Sequence, residues 1–281
     1  MNRNLVQRFG FSLLTLMAFI TVLPILLIIG FVVSQGAPAI SWEFITAMPF
    51  NGMRSGGIWP AIIGTFYLTV GTAIFSVPLG VAAAIYLSEY ASDNMLTRLI
   101  RLAIINLSGI PSVVYGLFGL GLFVFFLQFG TSILSASLTL SIMTLPVIIS
   151  TSEEALRAVP QAFRTVSISV GATRWQTIRR IVLPEALPGI ITGVILGLNR
   201  AAGETAPILF TGAAFFLPRL PGSPFDATMA LPYHLFVIST QIPEMPFQIQ
   251  YGTALVLITF VLTMNLLANF IRSRARARRQ W

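Results

Sequence analysis

The segment Phe11–Val33, FSLLTLMAFITVLPILLIIGFVV, contains no charged residue and is long enough to cross the hydrocarbon core of a bilayer as a helix. The whole chain is 56% hydrophobic and 9% charged, with a mean hydropathy of +0.85. These values lie outside the range of soluble globular domains. The sequence therefore predicts an all-α polytopic membrane protein with six transmembrane helices, at Phe11–Val33, Trp59–Leu87, Leu102–Phe129, Ile133–Ser150, Ala186–Phe216 and Tyr251–Ile271.

The basic residues indicate how the chain is oriented in the membrane. All 17 are arginines, the net charge is +8, and only Arg54 and Arg219 fall in loops on one side of the predicted spans. The positive-inside rule therefore places both termini in the cytoplasm, and we expect contact with membrane lipid and none with nucleic acid. Apart from Arg200, the remaining arginines lie on the predicted cytoplasmic side: Arg3, Arg8, Arg98, Arg101, Arg157, Arg164, Arg174, Arg179, Arg180, Arg272, Arg274, Arg276, Arg278 and Arg279.

The composition also excludes several kinds of site. Without lysine the chain has no P-loop, so any ATP and Mg²⁺ would be bound by partner ATPase subunits. Without cysteine it has no disulfide, thiolate nucleophile or Cys-ligated metal, and His234 alone cannot build a metal site. We therefore expect no cofactor and no enzymatic activity in this chain itself.

A long polar segment, Thr151–Val182, separates the fourth span from the fifth. Pro160 suits a first helical position, Gly171 a left-handed residue after a helix end, and Thr173 an N-cap, so two short helices are predicted. Their apolar stripes would lie under the membrane and present a knob to the cytoplasm; binding of lipid headgroups by the nearby arginines is the alternative. The stripe residues are Phe163, Val166, Val170, Trp175, Ile178 and Val182.

The spacing of this segment resembles the signature of ABC importer permeases, in which Glu-Ala-Ala, three residues, Gly, nine residues and Ile-x-Leu-Pro follow one another. Gly171 and Ile181–Pro184 match, whereas Thr165-Val166-Ser167 occupies the Glu-Ala-Ala positions. The resemblance implies the MetI-like permease fold and a coupling helix that docks on an ATPase subunit. The residues it implicates in ATPase coupling are Arg164, Thr165, Ser167, Gly171, Ala172, Thr173, Trp175, Leu183 and Pro184.

Arg200 and Glu204 stand inside the fifth apolar span, where a charge costs on the order of 3 kcal/mol or more. Charged residues at membrane depth usually face a protein interior or a water-filled path. Their spacing predicts that both lie on one helix face and offset each other's charge. This pair is the candidate site of function.

Two further motifs resemble the phosphate permeases of the PstA type: Arg200-Ala-Ala-Gly-Glu-Thr-Ala-Pro207 and Gly109-Ile-Pro-Ser-Val-Val-Tyr-Gly-Leu-Phe-Gly119. The resemblance covers nearly the whole chain from the second span onward. It implies the permease subunit of an ATP-driven phosphate importer in the bacterial inner membrane, which forms half of the translocation path. We expect this path to work by alternating access. Its implied partners are a homologous PstC-type permease, two PstB-type ATPases and a periplasmic PstS-type binding protein.

Phosphate chemistry fits this candidate site. A guanidinium can meet two oxygens of the anion at once, so Arg200 is the expected substrate contact. Glu204 would hold Arg200 when no anion is present; a fixed pair that only locks the helix is the alternative. Permeation of sulfate or molybdate, secondary anion transport, and a non-transporting scaffold that senses phosphate are the rival functions.

The chain is expected to divide near Trp59. Residues 1–58 would hold an N-terminal cytoplasmic tail, the first transmembrane helix and an outer loop. Residues 59–281 would hold the permease core, with the coupling loop at 152–182 and a basic tail at 272–281. A signal peptide is the alternative for the first span, but its apolar core is longer than such regions usually are. The Pro-rich outer loop Leu217–Gln250 is expected to contain little regular structure.

Overall fold

The computed structural model describes residues 3–277, and this part of the chain is almost entirely helical. Arg278 and Arg279 of the predicted basic tail lie outside the described residues. The helices are α1 (Arg3–Gly36), α2 (Trp42–Thr46), α3 (Trp59–Ile85), α4 (Met95–Ser108), α5 (Ser112–Gly119), α6 (Ile133–Arg157), α7 (Gln161–Ser169), α8 (Arg174–Thr177), α9 (Leu183–Gly203), α10 (Ala206–Thr211), α11 (Leu231–Thr240) and α12 (Phe247–Ala277).

Short irregular elements extend these helices. A single 3₁₀ turn, Ala37–Ala39, follows α1. Wider π-helical turns follow α3, α5 and α8, at Tyr86–Tyr90, Leu120–Phe126 and Ile178–Val182. Strands β1 (Pro49–Phe50) and β2 (Ser55–Gly56) form a small antiparallel hairpin that pairs Pro49 with Gly56 and Phe50 with Ser55.

The all-α, multi-span fold is confirmed. Within the described residues, five stretches are long and apolar enough to cross a membrane: Phe9–Ala39, Trp59–Tyr90, Ile133–Arg157, Arg174–Gly203 and Phe247–Arg274. A sixth crossing is provided only if the pair Met95–Ser108 and Ser112–Phe126, bent by 103°, is counted as one span.

The predicted span at Leu102–Phe129 is interrupted within its apolar stretch. The chain breaks after Ser108 and resumes at Ser112, with Pro111 as the N-cap of α5. Proline lacks the N–H that a continuing helix needs, and it moves the residue before it out of the helical conformation. The Tyr115 hydroxyl donates to the Leu107 carbonyl at 2.7 Å and so ties the two arms of the bend together.

The predicted fifth span also ends earlier than expected. Helix α9 stops at Gly203, Glu204 is extended (φ −77°, ψ 138°), and a separate helix, α10, begins at Ala206. Pro207 accounts for the break, because in a continuous helix its missing N–H would leave the Gly203 carbonyl without a donor. Proline is instead well suited to the first turn of the new helix.

The outer loop Leu217–Gln250 contains more structure than predicted. Ten of its residues form α11, whose first turn contains Pro232. The prolines of this loop suggested irregular structure, but Pro232 lies at the start of a helix, where the fixed φ of proline is favourable. Helix α11 is buried on one side, and His234 within it is only 2% exposed.

Helix α6 forms the centre of the bundle and packs against both α3 and α9. Small and hydroxylated residues bring these helices together: Gly80 lies against Ile148 of α6, and the Ser141 hydroxyl of α6 donates to the Thr72 carbonyl at 3.1 Å. Such contacts are expected where lipid supplies no hydrophobic drive for helix association. A buried cluster at the end that carries the polar loop joins the same three helices: Ala84, Leu156, Val159, Val182, Ala186 and Ile190.

Helix α1 packs against α12 and leaves most of its apolar side chains exposed. The two helices meet where α1 ends, and a Cβ on Gly36 would lie 2.5 Å from the Tyr251 carbonyl oxygen. A division of the chain at residue 58 stays a prediction.

Candidate substrate path and coupling loop

Arg200 and Glu204 form an ion pair across the end of α9. Arg200 lies in the last turn, and its Nε is 3.4 Å from Oε1 of Glu204. The expectation that both belong to one helix is wrong for Glu204, which is the extended residue that follows α9. The pair spans the point at which the chain leaves the helix after Gly203. Its side chains stay partly open, 36% exposed for Arg200 and 18% for Glu204.

The guanidinium of Arg200 retains unused donors. Among residues 3–277 its hydrogen-bond partner is Glu204, reached through Nε, and the two terminal Nη groups have no protein acceptor. A contact of 3.4 Å is also longer than the roughly 2.7–2.9 Å of a strong charge-assisted hydrogen bond. The guanidinium of Arg200 can therefore bind an anion without first breaking a short hydrogen bond to Glu204.

The two sequence motifs around this site lie against each other. Helix α5, from the 109–119 motif, packs on α10, from the 200–207 motif. Gly116 makes this approach possible, since a Cβ there would lie 3.0 Å from the Ala206 carbonyl oxygen and from Cα of Pro207. Tyr115 and Ala201 belong to one buried cluster. The bend of one motif and the helix break of the other thus build a single junction beside Arg200.

A partly buried amide pair lies next to the same site and was not anticipated from sequence. Asn199, one residue before Arg200, donates from Nδ2 to Oδ1 of Asn265 on α12. Both side chains are partly buried. The signal in the sequence is weak, because Asn265 is one of two asparagines, with Asn269, in the largely apolar segment Tyr251–Ile271.

The predicted Gly171 turn and Thr173 cap of the polar loop are confirmed, whereas Pro160 is the N-cap of α7 and not its first residue, and the loop begins only after α6 ends at Arg157. Helices α7 and α8 are separated by Gly171, whose φ of +89° is left-handed. Thr173 caps α8 with a full capping box: its hydroxyl accepts from the Gln176 N–H at 3.2 Å, and its own N–H donates to Oε1 of Gln176 at 2.8 Å. The hydroxyls of Ser167 and Thr177, 2.8 Å apart and buried, join α7 to α8.

The proposed coupling residues do not all face outward. Arg164 and Ser167 point into the chain, Ala172 and Leu183 are half-buried, and Thr165, Gly171, Thr173, Trp175 and Pro184 are exposed. Their roles in ATPase coupling stay predictions. Of the predicted apolar stripes, Ile178 and Val182 are buried in the bundle. The others leave an exposed apolar knob: Phe163, Val166, Val170 and Trp175.

Two ionic clusters at this end of the bundle were missed by sequence reasoning. In the first, Arg164 binds Glu89 with both oxygens engaged. In the second, Glu153 lies between Arg101 at 2.9 Å and Arg157 at 2.8 Å. Only the Arg157 contact, at four residues along one helix, has a spacing that sequence analysis could have detected.

Comparison with known proteins identifies the class. Residues 76–279 match the family described as binding-protein-dependent transport system inner membrane component. The chain belongs to this family of ABC importer permeases. The probable ABC transporter permease protein YqgI of Bacillus subtilis is 33% identical over 285 residues, with 96% of each chain covered. The phosphate transport system permease protein PstA 1 of Mycobacterium tuberculosis is 34% identical, covering 93% of this permease and 85% of the relative.

Solved structures agree on the fold of the permease. A chain of a bacterial ABC transporter involved in the import of alginate superposes with a TM-score of 0.67 at 16% identity, with 95% of each chain covered. A chain of the inward-facing MetNI methionine transporter gives 0.59 at 19% identity, covering 78% of the permease and 94% of that chain.

The class defines the kind of subunit. The permease is a multi-pass inner membrane component of a bacterial ABC importer, a type of subunit that has no ATPase domain of its own. Importers of this class work with a partner permease subunit, ATPase subunits and a periplasmic binding protein.

Proposed function

We propose that this permease imports inorganic phosphate and that Arg200 is its substrate contact. The observation that carries the proposal is the partly exposed guanidinium of Arg200, whose two Nη groups have no acceptor among residues 3–277, at the junction of the two phosphate-permease motifs. Relatives that carry the name of phosphate permease are 34% identical to this chain over most of its length.

The depth of Arg200 suits a translocation path. At a rise of 1.5 Å per residue, Arg200 lies about 25 Å along α9 from Leu183, within reach of a hydrocarbon core roughly 30 Å thick. Phosphate at neutral pH carries one to two negative charges, and a planar guanidinium can bind two of its oxygens together. Placing a charge at this depth costs several kcal/mol, and a substrate site on the protein surface would not require that cost.

Glu204 has a separate part in the proposal. In the empty site it holds the guanidinium through the 3.4 Å contact, and arriving phosphate takes its place. Because Glu204 is outside α9, it can move away without disturbing the helix. Repulsion between its carboxylate and the anion would then help phosphate to leave.

The driving force comes from outside the chain. We place both termini and the α7–α8 loop in the cytoplasm, where the exposed knob meets a PstB-type ATPase. Closure of two such ATPases moves the loop together with α9, because the helical stretch Arg174–Gly203 runs from α8 into α9. A PstC-type permease would supply the other half of the path, and a PstS-type protein would deliver phosphate from the periplasm.

Uptake of radiolabelled phosphate by the reconstituted complex tests this proposal. Wild-type permease, Arg200→Ala and the control Arg98→Ala, which removes an exposed arginine of α4, are compared with and without ATP and binding protein. We expect ATP-dependent uptake in the wild type and the control and its loss in assembled Arg200→Ala. Uptake that persists in Arg200→Ala would make Arg200 structural. Sulfate or molybdate uptake without phosphate uptake would assign the permease to another oxyanion.

A further inference from the structure

We propose that Glu89, in the π-helical turn that continues α3, fastens the α7–α8 loop to the transmembrane bundle, so that movement of the loop is transmitted through α3 as well as along α9. The inference rests on the proposed import function and adds a positioning residue to it.

The contact between Glu89 and the loop is bidentate and buried. Arg164 of α7 donates from Nη2 to Oε1 at 2.6 Å and from Nε to Oε2 at 3.1 Å. The Glu89 side chain is only 7% exposed and the Arg164 side chain 12%. Two parallel hydrogen bonds fix the orientation of a guanidinium as well as its position. The loop is therefore held at a defined angle to α3.

Arg164 also fastens the end of α6. Its Nη2 donates to the Leu156 carbonyl at 2.9 Å and its Nη1 to the Val159 carbonyl at 2.7 Å. These carbonyls belong to the last turn of α6 and the residues that follow it, where backbone acceptors lack helical partners. One guanidinium thus joins three elements: α3, α6 and α7.

A second arginine converges on the same turn from α8. Arg174 donates to the Glu89 carbonyl, and its guanidinium lies 5.1 Å from the centre of the Tyr90 ring. The hydroxyl pair between Ser167 and Thr177 joins α7 to α8, so the two arginines belong to one unit. The π-helical turn Tyr86–Tyr90 therefore receives contacts from both helices of the loop.

The consequence for transport is a second route from loop to pore. The first is covalent, because the chain continues from α8 into α9 and reaches Arg200. The second runs from Glu89 into α3, which packs on α6 and also contacts α9. If the loop moved α9 alone, α3 and α9 would slide past each other. The Glu89 clamp makes them move together.

A double-mutant cycle in proteoliposomes tests the clamp. Glu89→Gln, Arg164→Gln and the double variant are compared for phosphate transported per ATP hydrolysed, with Asp93→Asn as control, since Asp93 is an exposed carboxylate four residues further on. We expect each single variant to lower the ratio roughly tenfold while ATP hydrolysis continues, and the double variant to lower it no further. Additive losses in the double variant, or a wild-type ratio in Glu89→Gln, would overturn the inference.

The ratio of phosphate transported to ATP hydrolysed distinguishes a positioning role of Glu89 from a role in folding. A purely structural role would reduce the amount of assembled complex or its Tm and leave transport per ATP unchanged in the complex that assembles. If Glu89→Gln does not assemble, Glu89→Asp retains the charge but shortens the reach to Arg164, and the same fall in the ratio is expected. An assembled Glu89→Asp complex with a wild-type ratio would contradict the clamp. Failure of the wild type to import phosphate would instead contradict the proposed function.

Discussion

Arg200 Nε lies 3.4 Å from Glu204 Oε1, whereas Arg164 Nη2 lies 2.6 Å from Glu89 Oε1. The first pair is partly exposed and uses one nitrogen; the second is buried and uses two. A buried bidentate pair resists exchange, because separating it leaves an uncompensated charge. A long, open pair exchanges its partner readily. The chain thus has a closed pair in its loop and an open pair on its candidate substrate path.

Replacing Glu204 by Gln is expected to tighten phosphate binding and slow transport. The neutral amide competes less well for Arg200, and an exposed pair of this kind contributes about 1 kcal/mol, so the KM for phosphate should fall roughly fivefold. The maximal rate should fall as well, because release loses the repulsion of the carboxylate. Uptake kinetics measure both values, with Glu43→Gln as an exposed control. Unchanged kinetics would leave the pair as a fixed lock.

Replacing Arg200 by Lys separates charge from geometry. Lysine preserves the positive charge but presents a single ammonium, so one of two charge-assisted hydrogen bonds to phosphate is lost. At about 1.5–3 kcal/mol for such a bond, the apparent kcat/KM for uptake should fall roughly tenfold to a hundredfold. Full uptake by Arg200→Lys would contradict bidentate recognition.

Gly116 should not tolerate a larger side chain. A Cβ would lie 2.8 Å from the Phe210 ring and 3.0 Å from backbone atoms of Ala206 and Pro207, and the backbone atoms cannot rotate away. Gly116→Val should lower the free energy of unfolding by about 1–3 kcal/mol through overpacking. Gly121 has nothing within 4 Å of its Cβ position, so Gly121→Val is the matched control. Thermal unfolding in detergent measures the difference; equal Tm values would argue against a close junction.

Sequence analysis predicted features whose causes are local. Helix α3 begins at Trp59 and α6 at Ile133, as expected, and the turn at Gly171 and the Thr173 cap are found where backbone chemistry required them. Hydropathy averages over a window, so it gave the extent of the span at 102–129 but not the 103° angle between its two helices. Hydropathy also extended the fifth span past Gly203 for the same reason.

Contacts between distant segments were beyond the sequence. Glu89 and Arg164 are 75 residues apart, and no periodicity links them. The resemblance implicated Arg164 in ATPase coupling, but in the structure its guanidinium donates to two carbonyls at the end of α6 and to Glu89. The Arg200–Glu204 pair was predicted because it lies within four residues. Its openness follows from the helix break and could not be predicted.

The Asn199–Asn265 pair should behave as a coupled unit. Replacing either residue by Leu leaves a partly buried amide without its partner, which should lower the free energy of unfolding by about 1–2 kcal/mol. Replacing both removes both polar groups, so the double variant should be more stable than the sum of the single changes predicts. Thermal unfolding of the three variants tests this. Strictly additive changes would mean that the amides do not depend on each other.

Stability should depend on His234 below neutral pH. This residue lies in α11, outside the candidate spans, and burial lowers its pKa from 6.5 to about 4. Its Nδ1 has no hydrogen-bond partner among the residues that the structure describes. Since the folded pKa is below the unfolded value, the unfolded chain binds the proton first as pH falls. The contribution of neutral His234 to the free energy of unfolding is fully present above pH 6.5. It decreases between about pH 6.5 and pH 4, by about 3 kcal/mol in total.

The variant His234→Gln isolates this contribution from the carboxylates that titrate in the same range. Glutamine has no group that titrates here, so its Tm should change less than that of the wild type between pH 7 and pH 4.5. The difference between the two proteins, measured by thermal unfolding at a series of pH values, should decrease as pH falls, because protonation penalises only the wild type. Parallel curves across that range would show that His234 is protonated equally in the folded and unfolded chains, which would contradict its burial as a neutral imidazole.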